Sequence, residues 1–439
     1  MAIVEIETVE QHGLDHDQLL DGHLEAPQAG AQTDVYAVDV CGWVLGRTAP
    51  VTHIEVWPSE TAPYWSMLDV SGAQGIPVTI ERPDVAARHP SAAGTPCGFL
   101  SSLGLVGHAL DFEWVLQAVL ADGHRVPLAT IRGRREALKS YFEPELQPLA
   151  LTSIGRSGST WAMYLFAEHP SIVAQREFPD TRAAGYWMRM ARILSQPARS
   201  EQSMAFPAAR ASSVGPNPFY GPPITNDPDI RRWLGRLYPR QLVTFCQQAV
   251  EQFYLHTARS QRQSQPRYFV EKFEAAAVWP LRELYPGMRE IFLVRDFRDL
   301  LSSILAIDAR RGFYGFGRSP GDTDADYLRR FRVFTMILGQ AWRRRAERAH
   351  LVRYEDLIRE PVETLRRALE YLDLEATPSL VRGMIDAAHD LSAMAPHHRT
   401  APSPLASIGR WRNDLTPAMQ ELCQDALADV LREFGYEPT

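Results

Sequence analysis

The sequence predicts an α/β fold, a parallel sheet covered by helices, preceded by a small all-β domain of sandwich-like character. Three observations carry that expectation. From Pro148 onward, short apolar runs alternate with helical text: PLALTS and then STWAMYLFAEHP, with YFVEKF, EIFLVRD and HLVRYEDL each followed by helix-forming residues. This is the grammar of parallel strands joined by crossover helices. Before it, from about Asp34 to Arg132, short β-rich runs are punctuated by Gly, Pro and Asp, as in an antiparallel sandwich. A chain of 439 residues that is 45% hydrophobic is long enough for one large core and a second small one.

Taken in order, residues 1–33 are polar and aperiodic and are expected to form a flexible N-terminal tail. Residues 34–132 contain VYAVDVCGWVLG, THIEVWPS, IPVTIERP, FEWVLQAVLADG and VPLATIRG, read as the strands of a β domain whose role the sequence leaves open. Residues 133–147 read as a polar linker, bounded by Pro144 and Pro148. Residues 148–439 form the α/β domain. Two irregular stretches, 196–228 and 309–326, interrupt it, and loops of that length in a compact domain usually serve as lids or substrate loops.

Composition removes several function classes. Lys and Arg number 46 against 53 Asp and Glu, a net charge of -7. The chain as a whole therefore has no electrostatic reason to seek nucleic acid or an anionic membrane, and any anion must be held locally. The acidic start has no apolar signal-like region, and no run of 18 apolar residues occurs. A soluble, cytoplasmic protein without a membrane span is expected. Cys41, Cys97, Cys246 and Cys423 are scattered without a paired spacing, so free thiols and no metal site are expected.

The chemistry concentrates in LALTSIGRSGSTW, where a strand ends at Ser153 and a helix begins near Ser159. Such a turn aims backbone N–H groups and the positive helix end at one spot, which suits a phosphate. Arg156 adds a full charge, and Ser159 and Thr160 add hydroxyls. The Gly-Lys-Ser/Thr ending of an ATP-binding loop is missing, so phosphoryl transfer lacks two of its standard parts. Farther on, EIFLVRDFRDLLSSIL offers a second strand end at Arg295 with Ser303 eight places on, about two helical turns along. Together they suit a second phosphate; singly, Arg295 is as well placed to pair with Asp296 or Asp299.

Both segments together resemble the phosphosulfate-binding motifs of sulfotransferases. The first motif of that family, Lys/Arg-Ser-Gly-Thr/Ser-Thr followed by Trp, stands here as Arg156-Ser157-Gly158-Ser159-Thr160-Trp161, and the second as Arg295, Asp299 and Ser303. LVRYEDLIREPVETL and SIGRWRNDLT are similar to the family's YEDL segment and its closing Gly-x-Trp-Lys/Arg-Asn stretch. The resemblance covers about 148–439 and implies a P-loop-like fold using 3′-phosphoadenosine 5′-phosphosulfate as co-substrate. It implies that Arg156, the loop amides, Ser159 and Thr160 hold the 5′-phosphosulfate, that Arg295 and Ser303 hold the 3′-phosphate, and that Trp161 and Tyr354 lie at the adenine. The plainer alternative for Trp161 is a core residue of its helix. Ser407 is implied near the leaving oxygen. Pro404-Leu405-Ala406 stands where one branch carries Arg-Lys-Gly, leaving Arg399 or Arg410 to replace it.

A general base must take the acceptor's proton. No histidine matches the base of the cytosolic branch. The segment HPSIVAQRE places Glu177 where the resemblance to carbohydrate- and tyrosyl-protein-modifying branches implies a glutamate base. A surface or Arg182-paired carboxylate is the plainer reading of Glu177, and Asp180 is the alternative base. Lys272, in YFVEKF, resembles the family lysine that faces the transferring group, although Phe273 replaces the usual proline. The expected function is sulfuryl transfer to a hydroxyl of a carbohydrate or other small metabolite. A nucleotide-dependent kinase, or an inactive binding or scaffold protein on the same fold, is the alternative. GFYGFGR at 312–318 and the 196–228 loop are either acceptor-cleft walls or surface loops. His397 and His398 look like a ligand pair but lack a third ligand. The β region resembles a module at the front of some bacterial glycosyltransferases and sulfotransferases, on GWVLGR and RPDVAARHP.

Overall fold

The structure, a computed structural model, describes residues 2–13, 17–58, 74–90, 93–197, 227–263, 265–275, 279–393 and 400–438. The chain divides into two compact units, Met1–Phe142 with Trp187–Cys246, and Glu143–Tyr186 with Gln247–Thr439.

The first unit carries two antiparallel sheets. One has six strands in the order β3-β1-β9-β8-β5-β6, built from β1 (Val4–Gln11), β3 (Gln32–Thr33), β5 (Val51–Pro58), β6 (Gln74–Pro77), β8 (Asp111–Leu120) and β9 (Arg125–Arg135). The other has three, β2 (Leu19–Ala26), β4 (Ala37–Gly46) and β7 (Gly98–Gly104), in the order β2-β4-β7.

Residues 1–33 are therefore not a tail. Val4 and Ile6 of β1 are buried at 1% and 2% exposure, while Glu5 and Glu10 between them face Arg134 and Arg132 of β9. The alternation is that of a half-buried strand whose outer face is glutamate, which makes it read as polar; its partner lies more than a hundred residues away. The linker is corrected too. β9 runs on to Arg135, Leu138 and Leu146 are buried, and the next strand starts at Gln147. The first unit also takes residues 187–246 from within the expected α/β domain. Gln196 accepts from the Gly104 N–H at 3.2 Å, the Tyr36 N–H donates to the Gly235 carbonyl at 2.8 Å, and Leu234 packs with Val35 and Ala37.

The second unit is the expected parallel sheet. Strands β10 (Gln147–Thr152), β11 (Ile172–Val173), β12 (Tyr268–Phe273), β13 (Arg289–Val294) and β14 (His350–Arg353) lie in the order β11-β12-β10-β13-β14, every pairing parallel. Its principal helices are α1 (Ser159–Ala167), α2 (Ala183–Leu194), which continues into the first unit, α3 (Tyr238–Ser260), which begins in it, α4 (Phe297–Arg311), α5 (Asp324–Arg345), α6 (Tyr354–Arg359), α7 (Pro361–Tyr371), α8 (Pro378–Ala393) and α9 (Pro417–Glu433). Both faces of the sheet are covered. Ile291 and Leu293 join a core with α1, α7 and α8, whereas Phe292 and Val294 join one with α4, α5 and α9. A strand buried on both faces has no alternation to display, which explains the continuous apolar run IFLV. Because β10 sits between β12 and β13, the chain leaves its carboxyl end beside the carboxyl ends of both neighbours, where ligands bind in open sheets of this type. Among the described residues, no helix is long and apolar enough to cross a membrane.

Candidate active site

The turn from β10 into α1 contains two left-handed residues, Arg156 at φ +75° and Gly158 at φ +90°. A Cβ at position 158 would lie 2.4 Å from the Tyr354 ring, so dihedral and contact both demand glycine there. Arg156 has no such freedom, and holding it left-handed costs about 1–2 kcal/mol. The bend curls successive N–H groups into a concave anion nest at the start of α1. Ser157 braces it, its hydroxyl donating to the Ile154 carbonyl at 2.7 Å. Ser159, Thr160 and Trp161 line a cleft of about 590 Å³ that opens from this turn, with Arg295 and Ser303 on its other side.

Arg295, just past the end of β13, is 4% exposed and lines the cleft. It donates to the Arg156 carbonyl at 3.3 Å and to the Ser407 carbonyl at 2.6 Å, and its guanidinium lies 4.7 Å from the Tyr354 ring centroid. The two aspartates that the sequence offers it are engaged elsewhere. Asp296 accepts from Arg298, and Asp299 accepts the Gly409 and Trp411 N–H groups at 2.6 and 3.0 Å. Burial pushes the Asp299 carboxyl up to about 6. Its place in the motif is thus to seat the closing Gly-Arg-Trp segment on α4. The Nε of Arg295 is buried and has no hydrogen-bond partner among the described residues.

A relay of short contacts joins the two strand ends. Arg156 Nε donates to the Ser303 hydroxyl at 3.2 Å, Ser303 and the Thr400 hydroxyl lie 3.0 Å apart, and Arg410 donates to Thr400 at 3.0 Å. Burial, then the charges of Arg295, Arg311, Arg310 and Arg410, push the Arg156 guanidinium down to about 10. That is the electrostatic signature of a place prepared for an anion. Tyr354 and Ser407 share a hydrogen bond of 3.0 Å at the cleft wall. Trp161, on α1, packs against the core and also lines the cleft, 4.8 Å from the His389 ring, with its buried Nε1 lacking a partner among the described residues.

From β12, Lys272 reaches the same loop, donating to the Thr160 hydroxyl at 2.8 Å and to Asp180 at 2.7 Å. Burial lowers its pKa, which Asp180 opposes. Glu177 lies exposed in the connection from β11 to α2, three residues before Asp180, and outside the lining of the cleft. Among the described residues, no group of three or more His, Cys, Asp or Glu side chains is placed to hold a metal ion.

Residues 148–378 match the profile of the Sulfotransferase family. The chain belongs to that family. It is 31% identical over 173 residues to carbohydrate sulfotransferase 1 of Danio rerio, and 26% identical over 163 residues to that of Rattus norvegicus; each match spans 34% of this chain and 39% of the relative. Among solved structures, the sulfotransferase domain from the curacin biosynthetic pathway is 15% identical with a TM-score of 0.36, covering 67% of this chain and 99% of that one. Mouse sulfotransferase SULT7A1 complexed with PAP is 12% identical with a TM-score of 0.36, covering 65% of this chain and 84% of that one.

The family motifs found in the sequence thus meet at one place in the second unit. Arg156, Gly158, Ser159, Thr160, Trp161, Arg295, Ser303, Tyr354 and Ser407 border the cleft, Arg410 joins through Thr400, and Lys272 through Thr160. Thr400 and His389 had no signal in the sequence, since a loop hydroxyl and a helix histidine carry no spacing that marks them. His397, His398, Arg399 and nearly all of the 196–228 loop lie outside the described residues.

Proposed function

We propose that this chain transfers a sulfuryl group from 3′-phosphoadenosine 5′-phosphosulfate to a hydroxyl of a carbohydrate or related hydroxylated metabolite. The observation that carries the reading is the pair of guanidinium groups, Arg156 and Arg295, at the carboxyl ends of adjacent strands and bordering one cleft. The residues present fit this donor: the orphaned Nε of Arg295 and the left-handed nest at Arg156–Gly158 offer donors in two places, as a molecule with two phosphate positions needs. Arg156, the loop N–H groups, Ser159 and Thr160 would hold the 5′-phosphosulfate. Arg295 and Ser303, supported by Thr400 and Arg410, would hold the 3′-phosphate, which separates this donor from ATP. Trp161 and Tyr354 would flank the adenine.

Sulfuryl transfer forms a bond from the acceptor oxygen to sulfur and breaks the bond from sulfur to the phosphate oxygen, leaving adenosine 3′,5′-bisphosphate. Lys272, held against Thr160, would neutralise charge gathering on the departing oxygen. Glu177 would accept the acceptor's proton. Asp180, three residues on, accepts a hydrogen bond from Lys272. The 31% identity to a carbohydrate sulfotransferase supports a glycan acceptor. Incubation with labelled phosphosulfate and a panel of oligosaccharides, followed by mass spectrometry, is expected to show a product about 80 Da heavier per transfer, a net gain of SO₃ as the sulfo group takes the place of the acceptor's hydroxyl proton. Release of labelled sulfate without any sulfated product would refute the reading.

A further inference from the structure

The loop after α4 carries exposed side chains for which the donor has no use. Phe313 is 60% exposed and Tyr314 52% exposed. Each has an arginine against its ring, Arg311 at 5.8 Å from the Phe313 centroid and Arg318 at 5.3 Å from the Tyr314 centroid. Two open aromatic rings gain little for the fold by burial, and neighbouring large apolar groups left in water mark a binding place more often than chance does.

The loop is nonetheless well braced. Gly312 ends α4 at φ +75° and Gly317 turns at φ +82°, conformations that glycine takes without strain. The Gly315 N–H donates to Asp308 Oδ1 at 3.1 Å, the Tyr327 hydroxyl donates to the Phe316 carbonyl at 3.4 Å, and Arg318 pairs with Asp324 at 3.1 Å. It also abuts the anion loop directly. A Cβ on Gly155 would lie 2.6 Å from the Phe316 ring, so Phe316 rests on the residue just before Arg156. Arg318 is committed to Asp324, whereas no carboxylate among the described residues pairs with Arg311. The charges of Arg310 and Arg311 are felt at Arg156, which places this end of α4 within electrostatic reach of the cleft.

We propose that Phe313, Tyr314 and Arg311 form the acceptor subsite, and that the acceptor is an oligosaccharide containing uronic acid residues. This rests on the donor reading above for its place in the reaction. The apolar C–H face of a pyranose ring stacks on an aromatic face, and a guanidinium takes a carboxylate in a paired geometry that a neutral sugar cannot offer. In a chain of net charge -7, an arginine with no carboxylate partner among the described residues offers an anion a local point of attraction. Phe316, packed on Gly155, joins the loop that carries Phe313 and Tyr314 to the loop that would hold the transferring group.

Calorimetric titration of the full chain with a hyaluronan tetrasaccharide, which bears carboxylates, and with neutral chitotetraose decides it. The expected result is binding of the hyaluronan fragment at least about tenfold more tightly, a difference of about 1.4 kcal/mol. Tyr314→Ala should weaken both sugars about tenfold, Tyr314→Phe should restore both, and Arg311→Gln should abolish the preference while leaving chitotetraose unchanged. Equal affinity for the two sugars, no binding of either, or an Arg311→Gln protein that keeps its preference overturns the proposal. Adenosine 3′,5′-bisphosphate is titrated separately and should bind the unaltered chain and the two Tyr314 variants alike. Its failure to bind the unaltered chain overturns the donor reading, while the sugar titrations still decide the subsite.

Discussion

Arg295 is held by two backbone carbonyls and a tyrosine face rather than by a carboxylate, so its charge is kept for something that is not part of the chain. Arg295→Ala should weaken adenosine 3′,5′-bisphosphate by about ten- to a hundredfold, from about 1.5–3 kcal/mol for a charged hydrogen bond, and leave ADP almost unaffected. Equal weakening of the two nucleotides in titration calorimetry would move the 3′-phosphate elsewhere. Glu177 makes the opposite case, being exposed and outside the cleft lining. If it is the base, Glu177→Ala keeps bisphosphate affinity and loses turnover by about a hundredfold or more. A variant with normal turnover shifts the role to Asp180, which already touches Lys272.

Among the elements, α2 is tied to the sheet by a buried carboxylate. Glu271 of β12, fully buried, accepts the N–H groups of Ala184 and Gly185 at 2.8 and 3.2 Å and the Tyr254 hydroxyl at 2.5 Å. Burial pushes its carboxyl up to about 7 against the hydrogen bonds that oppose it. The folded chain therefore keeps a proton that the unfolded chain releases above its ordinary pKa of 4.5. Stability from this group is present below that value and falls as pH rises toward about 7, by about 3 kcal/mol in all at roughly 1.4 kcal/mol per unit. Denaturant unfolding of Glu271→Gln beside the unaltered chain between pH 5 and 8 should show the glutamate protein losing ground steadily up to about pH 7 and no further. A difference that is flat with pH would show Glu271 titrating as it does in water. β1 shows the same dependence on distant partners: its buried Val4 and Ile6 are meaningful only once β9 is beside them.

Across the whole molecule, the second unit is interrupted in sequence, because residues 187–246 belong to the first. The family match at 148–378 therefore does not mark out a fragment with a complete interior. A fragment of residues 148–439 leaves Leu234 without Val35 and Ala37, and Gln196 without Gly104. It should be poorly soluble alone and recover when residues 1–147 are produced beside it, as gel filtration would show; a folded, monodisperse fragment would contradict this.

What the sequence determined by itself was the parallel sheet of the second unit, the glycine-bearing anion turn, and the Arg295 to Ser303 spacing. These are legible because a turn, a strand end and a helical repeat are set within about ten residues of chain. Tertiary structure alone decided that Asp299 serves the backbone of Gly409 and Trp411, that Thr400 links Ser303 to Arg410, that Asp180 meets Lys272, and that Val4–Gln11, Leu19–Ala26 and Gln32–Thr33 are strands. The contacts of Asp299, of Ser303 with Thr400 and of Asp180 with Lys272 join groups 92 to 112 residues apart, and no local sequence pattern announces a pairing across such a distance.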